Sequence, residues 1–146
     1  MIVRPSGLVV RKGRLLTMRY RYGGQERFNL PGGNHDPGES AASCLIREFA
    51  EELGMEVLQL GDLLWVAETA AGGREVMHLV YDIPDCCGEA LPNPDHTKAL
   101  EAVWLPLEAL ESAPLYPALG KNLIRWMQNH DSGTVYLGRL PQPWFD

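Results

Sequence analysis

The chain is poor in cysteine: three in 146 residues, Cys44 and the adjacent Cys86 and Cys87. An odd number without disulfide spacing excludes a disulfide-stapled scaffold and fits a reducing compartment. No run of 18 apolar residues occurs, so no membrane-spanning helix is expected. The start, Met1-Ile2-Val3-Arg4-Pro5, lacks the apolar core and cleavage site of a secretory signal. From these absences a cytoplasmic location is expected. Positive charge is scarce as well. A net charge of −6 argues against long nucleic acid as a partner, since the phosphate backbone needs an electropositive face. The four histidines, His35, His78, His96 and His130, are scattered and share no zinc spacing with a cysteine. Repeats, linkers and low-complexity segments are missing too. At 146 residues and 45% hydrophobic content, one folded domain over residues 1–146 is expected.

What the chain does have is concentrated between Gly33 and Met55, where a glycine-rich loop runs into an acidic helix. Pro37-Gly38 punctuates the loop, and Gly54 stands where a helix would stop. Between them Ala42, Leu45, Ile46, Phe49 and Leu53 recur at helical spacing and form one apolar stripe. Glu48, Glu51 and Glu52 cluster on an edge about 120–130° from that stripe. Like charges so spaced destabilise a helix by about 0.2–0.5 kcal/mol per pair. Glu51 and Glu52 also face the negative end of the helix dipole. Such an edge is either a solvated acidic face or a cation site. Hard carboxylate and carbonyl oxygens suit Mg²⁺ or Mn²⁺.

Written as a pattern, the segment is G-x5-E-x7-R-E-apolar-x-E-E-x-G-apolar. It resembles the Nudix box at every specified position, and the preceding Asn29-Leu30-Pro31-Gly32 resembles the flank that family carries. Seven fixed identities at ordinary residue frequencies give a chance match on the order of one in a hundred million windows. The resemblance implies an α/β fold, an α/β/α sandwich with a mixed β-sheet between helices. It also implies Mg²⁺-dependent hydrolysis of a phosphoanhydride in a nucleoside diphosphate linked to another moiety. By that resemblance Glu51 and Glu52 are metal ligands, Glu48 is a ligand or the general base, and the Gly32 carbonyl is a further ligand. Glu39 and Arg47 form a supporting ion pair, Gly33 and Gly38 supply backbone freedom, and Gly54 adds structural support where the helix ends. Glu101, shortly before Trp104, is either a late metal ligand or an ordinary strand glutamate.

Residues 1–30 hold Arg4, Arg11, Lys12, Arg14, Arg19, Arg21 and Arg27 against the single Glu26. Such residues often only protect strand edges. A basic stretch beside an acidic site also suits a small anionic substrate, so Arg19, Arg21 and Arg27 are expected at phosphate. Phe28, Tyr20, Tyr22, Trp65 and Tyr81 are candidates for stacking on a base or for packing. A nucleoside triphosphate or nucleoside diphosphate sugar is the expected partner, with no base assigned. Two rivals share the fold: a sensor that binds a nucleotide without cleaving it, and an allylic diphosphate isomerase. A sensor would be expected to lose the box carboxylates. The isomerase needs a catalytic cysteine, and Cys44 lies inside the box helix, where a small filler is the simpler reading.

The remaining layout is coarse. Ser6 to Val10 and Leu15 to Tyr20 read as a hairpin, Tyr22-Gly23-Gly24-Gln25 as a turn, and Arg27 to Leu30 as a strand. Strands are expected over Val57 to Leu60, Leu63 to Thr69 and Glu75 to Ile83, then an irregular Pro84 to Thr97. Tyr116 to Asn129 reads as a helix with Pro117 in its first turn. Thr134 to Leu137 is a short strand, and Trp144-Phe145 is expected to dock on the domain or on a second copy in a homodimer.

Overall fold

The computed structural model describes residues 1–143. The expected docking of Trp144-Phe145 lies outside them. The mixed β-structure between the helices is divided into two mixed sheets and a ribbon. The first contains β1 (Ile2–Leu8), β7 (Arg74–Asp82), β6 (Leu63–Ala71) and β11 (Val135–Arg139), in that spatial order. β1 is parallel to β7, β6 antiparallel to it, and β11 parallel to β6. In the second, β3 (Arg14–Tyr22) is central, with β4 (Gln25–Asn29) and the short β2 (Val10–Arg11) on one side. β9 (Glu101–Pro106) runs along its other side, and β10 (Leu115–Tyr116) extends β4 in parallel. β5 (Glu56–Gln59) and β8 (Asp85–Cys87) form a separate antiparallel ribbon.

Strand alternation divides the core into two layers. Leu15 and Leu16 are consecutive and both fully buried, yet one joins the cluster with Leu123 and Trp126 and the other the cluster with Leu45 and Phe49. The first cluster takes in α2 (Gly120–Asn129) and the second α1 (Ala41–Leu53), which makes an α/β/α sandwich. Among the described residues no helix is long and apolar enough to cross a membrane.

The box helix has local reasons for its ends. Ser40 caps α1 by accepting from the Ser43 N–H at 3.0 Å. Gly54 closes it at φ 66°, and its N–H reaches the Ala50 carbonyl at 3.1 Å. Leu45, Phe49 and Leu53 are buried as the stripe predicts, but Ile46 is exposed. Cys44, fully buried, takes the inward place instead, because the loop before the helix covers that side.

Two other expectations fail at long range. The Ser6–Tyr20 hairpin is only the two-residue pairing of Val10 and Arg11 with β3, because β1 leaves to pair with β7. The helix expected from Tyr116 starts at Gly120; Leu115 and Tyr116 are instead drawn into the sheet beside Phe28 and Asn29. No local signal announces either partner.

Candidate functional site

The loop before α1 is bound to β1, and this sets where the helix glutamates stand. Gly7 donates to the Pro31 carbonyl at 2.9 Å, Gly33 to Pro5 at 3.2 Å and His35 to Val3 at 2.9 Å. A side chain at Gly33 would run into the Glu48 carboxylate, so the missing Cβ is what lets loop and helix approach.

Arg47 ties this loop to the helix. Its Nε and Nη2 grip the two Glu39 oxygens at 3.0 and 2.8 Å, the bidentate geometry that guanidinium favours. Its Nη1 lies 3.1 Å from both Glu48 and Glu51, and Nη2 lies 3.3 Å from Asp36. Hydrogen bonds from Arg47 and the Asp36 amide lower the Glu39 carboxyl to about 2, and the Glu39 contact in turn raises Arg47. Glu39 also accepts from His35 through its carbonyl. Glu39 and Arg47 thus clamp the loop. Burial, reinforced by Glu39, pushes the Cys44 thiol up to about 12, which removes it as a thiolate nucleophile.

Glu48 and Glu52 converge. Both line a cleft of about 490 Å³ with Gly32, Gly33, Asn34 and Asp36. Burial, then the charge and hydrogen bond of Glu48, raise Glu52 well above the ordinary carboxylate range; Arg4 opposes that rise. Glu51 points away, to Arg47 and to His96 Nδ1 at 3.9 Å. Among the described residues no three His, Cys, Asp or Glu side chains are arranged to hold an ion together. Two carboxylates meet, and the third is held off by Arg47.

The other sequence candidates lie elsewhere. Glu101 pairs with Arg19 at 2.8 Å across β9 and β3 and does not line the cleft. Arg19 also reaches Glu26 at 3.4 Å, and the exposed Arg21 lies 3.9 Å from the same carboxylate. Arg27 is buried, donating to Gln25 at 2.8 Å and to the Glu26 carbonyl at 3.0 Å. Phe28 packs against the core cluster beneath α2. None of these four lines the cleft, because the β3–β4 hairpin pairs its own charges.

Besides Arg47 the cleft is lined by Arg4, which sequence reasoning passed over as a site residue. Asn29, Tyr20 and Tyr22 join it there, the two tyrosine rings stacked at 5.7 Å and 8°. The signal for Arg4 was period two. If residues 2–8 form a strand, Arg4 shares the inward face with Ser6 and Leu8.

The chain is 30% identical over 97 residues to the NAD-capped RNA hydrolase NudC of Pseudomonas fluorescens, covering 66% of this chain. It spans only 33% of that protein's length. The crystal structure of a MutT NUDIX hydrolase from Burkholderia pseudomallei is 30% identical, with a TM-score of 0.63 over 73% of this chain and 84% of that one. The solution structure of the E. coli ORF135 protein is 25% identical, with a TM-score of 0.70 over 89% and 88%. The family model of the NUDIX domain matches residues 3–127, and the chain belongs to the Nudix family.

Proposed function

We propose that the protein is a pyrophosphohydrolase, one domain over residues 1–146, that cleaves the phosphoanhydride of a nucleoside diphosphate linked to another moiety. A nucleoside triphosphate or a nucleoside diphosphate sugar is the substrate class. The observation that carries this reading is the pair Glu48 and Glu52, pressed together in a cleft beside Gly32 and Gly33. Two carboxylates in contact share a proton or a cation. Their hard oxygens fit Mg²⁺ or Mn²⁺, with Gly32 offering a carbonyl and Glu51 a further carboxylate once it leaves Arg47. When bound, such an ion neutralises diphosphate charge and acidifies water.

The chain's own residues do the rest. Glu48 takes the proton of the attacking water when it is not itself a ligand. Arg47 and Glu39 hold the loop so that the carboxylates meet the diphosphate at one place. The retained carboxylates favour hydrolysis over a non-cleaving sensor. The NudC relatives, named for NAD-capped RNA, point to the same bond class, a diphosphate joined to a nucleoside.

Phosphatase-coupled phosphate release tests this across nucleoside triphosphates, nucleoside diphosphate sugars, ADP-ribose and dinucleoside polyphosphates, with Mg²⁺ and with chelator, beside Glu52→Gln. Metal-dependent release lost in the variant is expected. Turnover that survives excess chelator overturns the mechanism, and nucleotide binding with no turnover anywhere moves the reading to the sensor.

A further inference from the structure

Arg4 is a buried charge that the protein itself leaves unbalanced. It is 9% exposed, on the inward face of β1. Its Nη2 donates to the Leu30 carbonyl at 2.9 Å, and its guanidinium carbon stands 5.8 Å from the centre of the Tyr116 ring. These contacts fix the side chain without neutralising it. Its Nη1 has no hydrogen-bond partner. Among the described residues no carboxylate pairs with Arg4, whereas Arg47 in the same cleft meets Asp36, Glu39, Glu48 and Glu51. Buried charges are ordinarily paired, so a cation left open on a cleft wall calls for an anion from outside. A guanidinium only donates, and an anionic oxygen is the acceptor it binds most strongly.

The aromatic side of the cleft is prepared differently. Tyr20 and Tyr22, two residues apart on one face of β3, stand with their rings stacked at 5.7 Å and 8°. The Tyr20 hydroxyl is hydrogen-bonded to Thr97 Oγ1 at 2.9 Å, and that oxygen also accepts from the Ala99 N–H at 3.1 Å. Tyr20 is thereby a fixed support. Tyr22 is 47% exposed and covered on one face by Tyr20, so the rest of its ring is offered to the cleft that both line. A flat ring held in this way accepts a further flat ring, and such stacking tolerates any base. Burial raises both tyrosine hydroxyls and the Arg4 charge opposes the rise, as it does at Glu52. The guanidinium is therefore within electrostatic reach of the rings and of the carboxylates.

We propose that the cleft holds a nucleoside monophosphate moiety, with Arg4 Nη1 donating to its phosphate and the Tyr22 ring stacked on its base, whichever base that is. This rests on the hydrolase reading above and assigns the nucleotide end of its substrate. Arg4 supplies a phosphate contact that needs no metal, and Tyr22 a contact that a sugar phosphate cannot make.

The test is equilibrium binding of AMP, GMP, CMP, UMP, adenosine and ribose 5-phosphate to the full chain. Calorimetry is run in chelator, so that no cation contributes to phosphate affinity. All the monophosphates are expected to bind, purines about threefold tighter than pyrimidines because their rings overlap more. Adenosine is expected to bind about tenfold or more weaker than AMP, and ribose 5-phosphate about fivefold or more weaker. Arg4→Gln, which can still donate to Leu30, is expected to bring AMP down to adenosine and to leave adenosine unchanged. Tyr22→Leu is expected to bring AMP down to ribose 5-phosphate and to leave that ligand unchanged, while Tyr22→Phe keeps the difference. Adenosine binding as tightly as AMP in the unaltered protein would overturn the inference by taking Arg4 off the phosphate. Ribose 5-phosphate binding as tightly as AMP would overturn it by removing the ring, and so would undetectable affinity for every monophosphate. The unaltered protein decides these outcomes even if a variant fails to fold. The expected ratios without turnover of any diphosphate would support this inference while counting against the hydrolase. Turnover with equal affinity for AMP and adenosine would do the reverse.

Discussion

Arg47 and Arg4 line one cleft and are treated in opposite ways. Arg47, on the helix, lies within 3.3 Å of four carboxylates from Asp36, Glu39, Glu48 and Glu51. Its charge is spent inside the protein, and what it holds is the shape of the loop. Arg4, on the strand, meets a carbonyl and an aromatic ring and keeps one nitrogen unpaired. A saturated arginine stabilises geometry, whereas an under-bonded one is available to a ligand. Glu52 feels the second arginine, since burial and Glu48 raise it and Arg4 lowers it.

The largest break in this comparison removes what both arginines serve. Glu52→Gln keeps size but replaces a carboxylate that can ligate a cation or give up a proton with a neutral amide that can do neither. Turnover is expected to fall about a hundredfold or more with little change in melting temperature, checked by phosphatase-coupled phosphate release beside thermal unfolding. Next is Gly33→Ala, whose new methyl would collide with the Glu48 carboxylate. It should cost roughly tenfold or more in kcat by displacing that group. A normal rate would mean that Glu48 yields without consequence.

The Arg47 side sharpens the contrast. Arg47→Ala leaves Glu39 and Glu51 without their cation and unpins the loop. A loss of about 1–2 kcal/mol in unfolding free energy is expected, with a similar fractional loss of rate on every substrate. Arg47→Lys should rescue it only in part, because an ammonium cannot grip two carboxylate oxygens at once. Substrate-selective loss in Arg47→Ala would erase the distinction from Arg4.

The effect with least bearing on turnover concerns the strand partner of Arg4. Burial holds His78 down at about 3, against 6.5 when exposed. The folded state therefore refuses a proton that the unfolded state accepts. Its contribution is fully present above about 6.5 and is lost as pH falls toward about 3, at a limiting slope of about 1.4 kcal/mol per pH unit. Denaturant unfolding at several pH values should show this slope, reduced in His78→Gln. An unchanged slope in the variant would place the acid sensitivity elsewhere.

The box helix was legible because its causes are local. Ser40 and Gly54 fix its ends, three- and four-residue spacing fixes its inward stripe, and the order of Glu39 and Arg47 fixes a pair that meets across one loop. The exception, Ile46 outside and Cys44 inside, arose where a distant segment covered the helix. The substrate side was less legible. Arg19, Arg21 and Arg27 look like phosphate contacts as a cluster of charge, yet they answer Glu26, Gln25 and Glu101 nearby on the same sheet.

By itself the sequence determined the family, the helix that carries the glutamates, and the kinds of oxygen ligand the chain can offer. Those follow from spacing along one segment, which needs no knowledge of the rest. Only the tertiary structure decided that Glu48 and Glu52 share a cleft with Gly32, Gly33 and Arg4, since these come from the helix, the loop and β1. It alone brought Arg4 beneath the site, because β1 pairs with β7 more than seventy positions away, from Ile2 with Val76 to Leu8 with Asp82. Strand partners at such separation are chosen by how two hydrophobic layers close, and short-range patterns do not encode that choice.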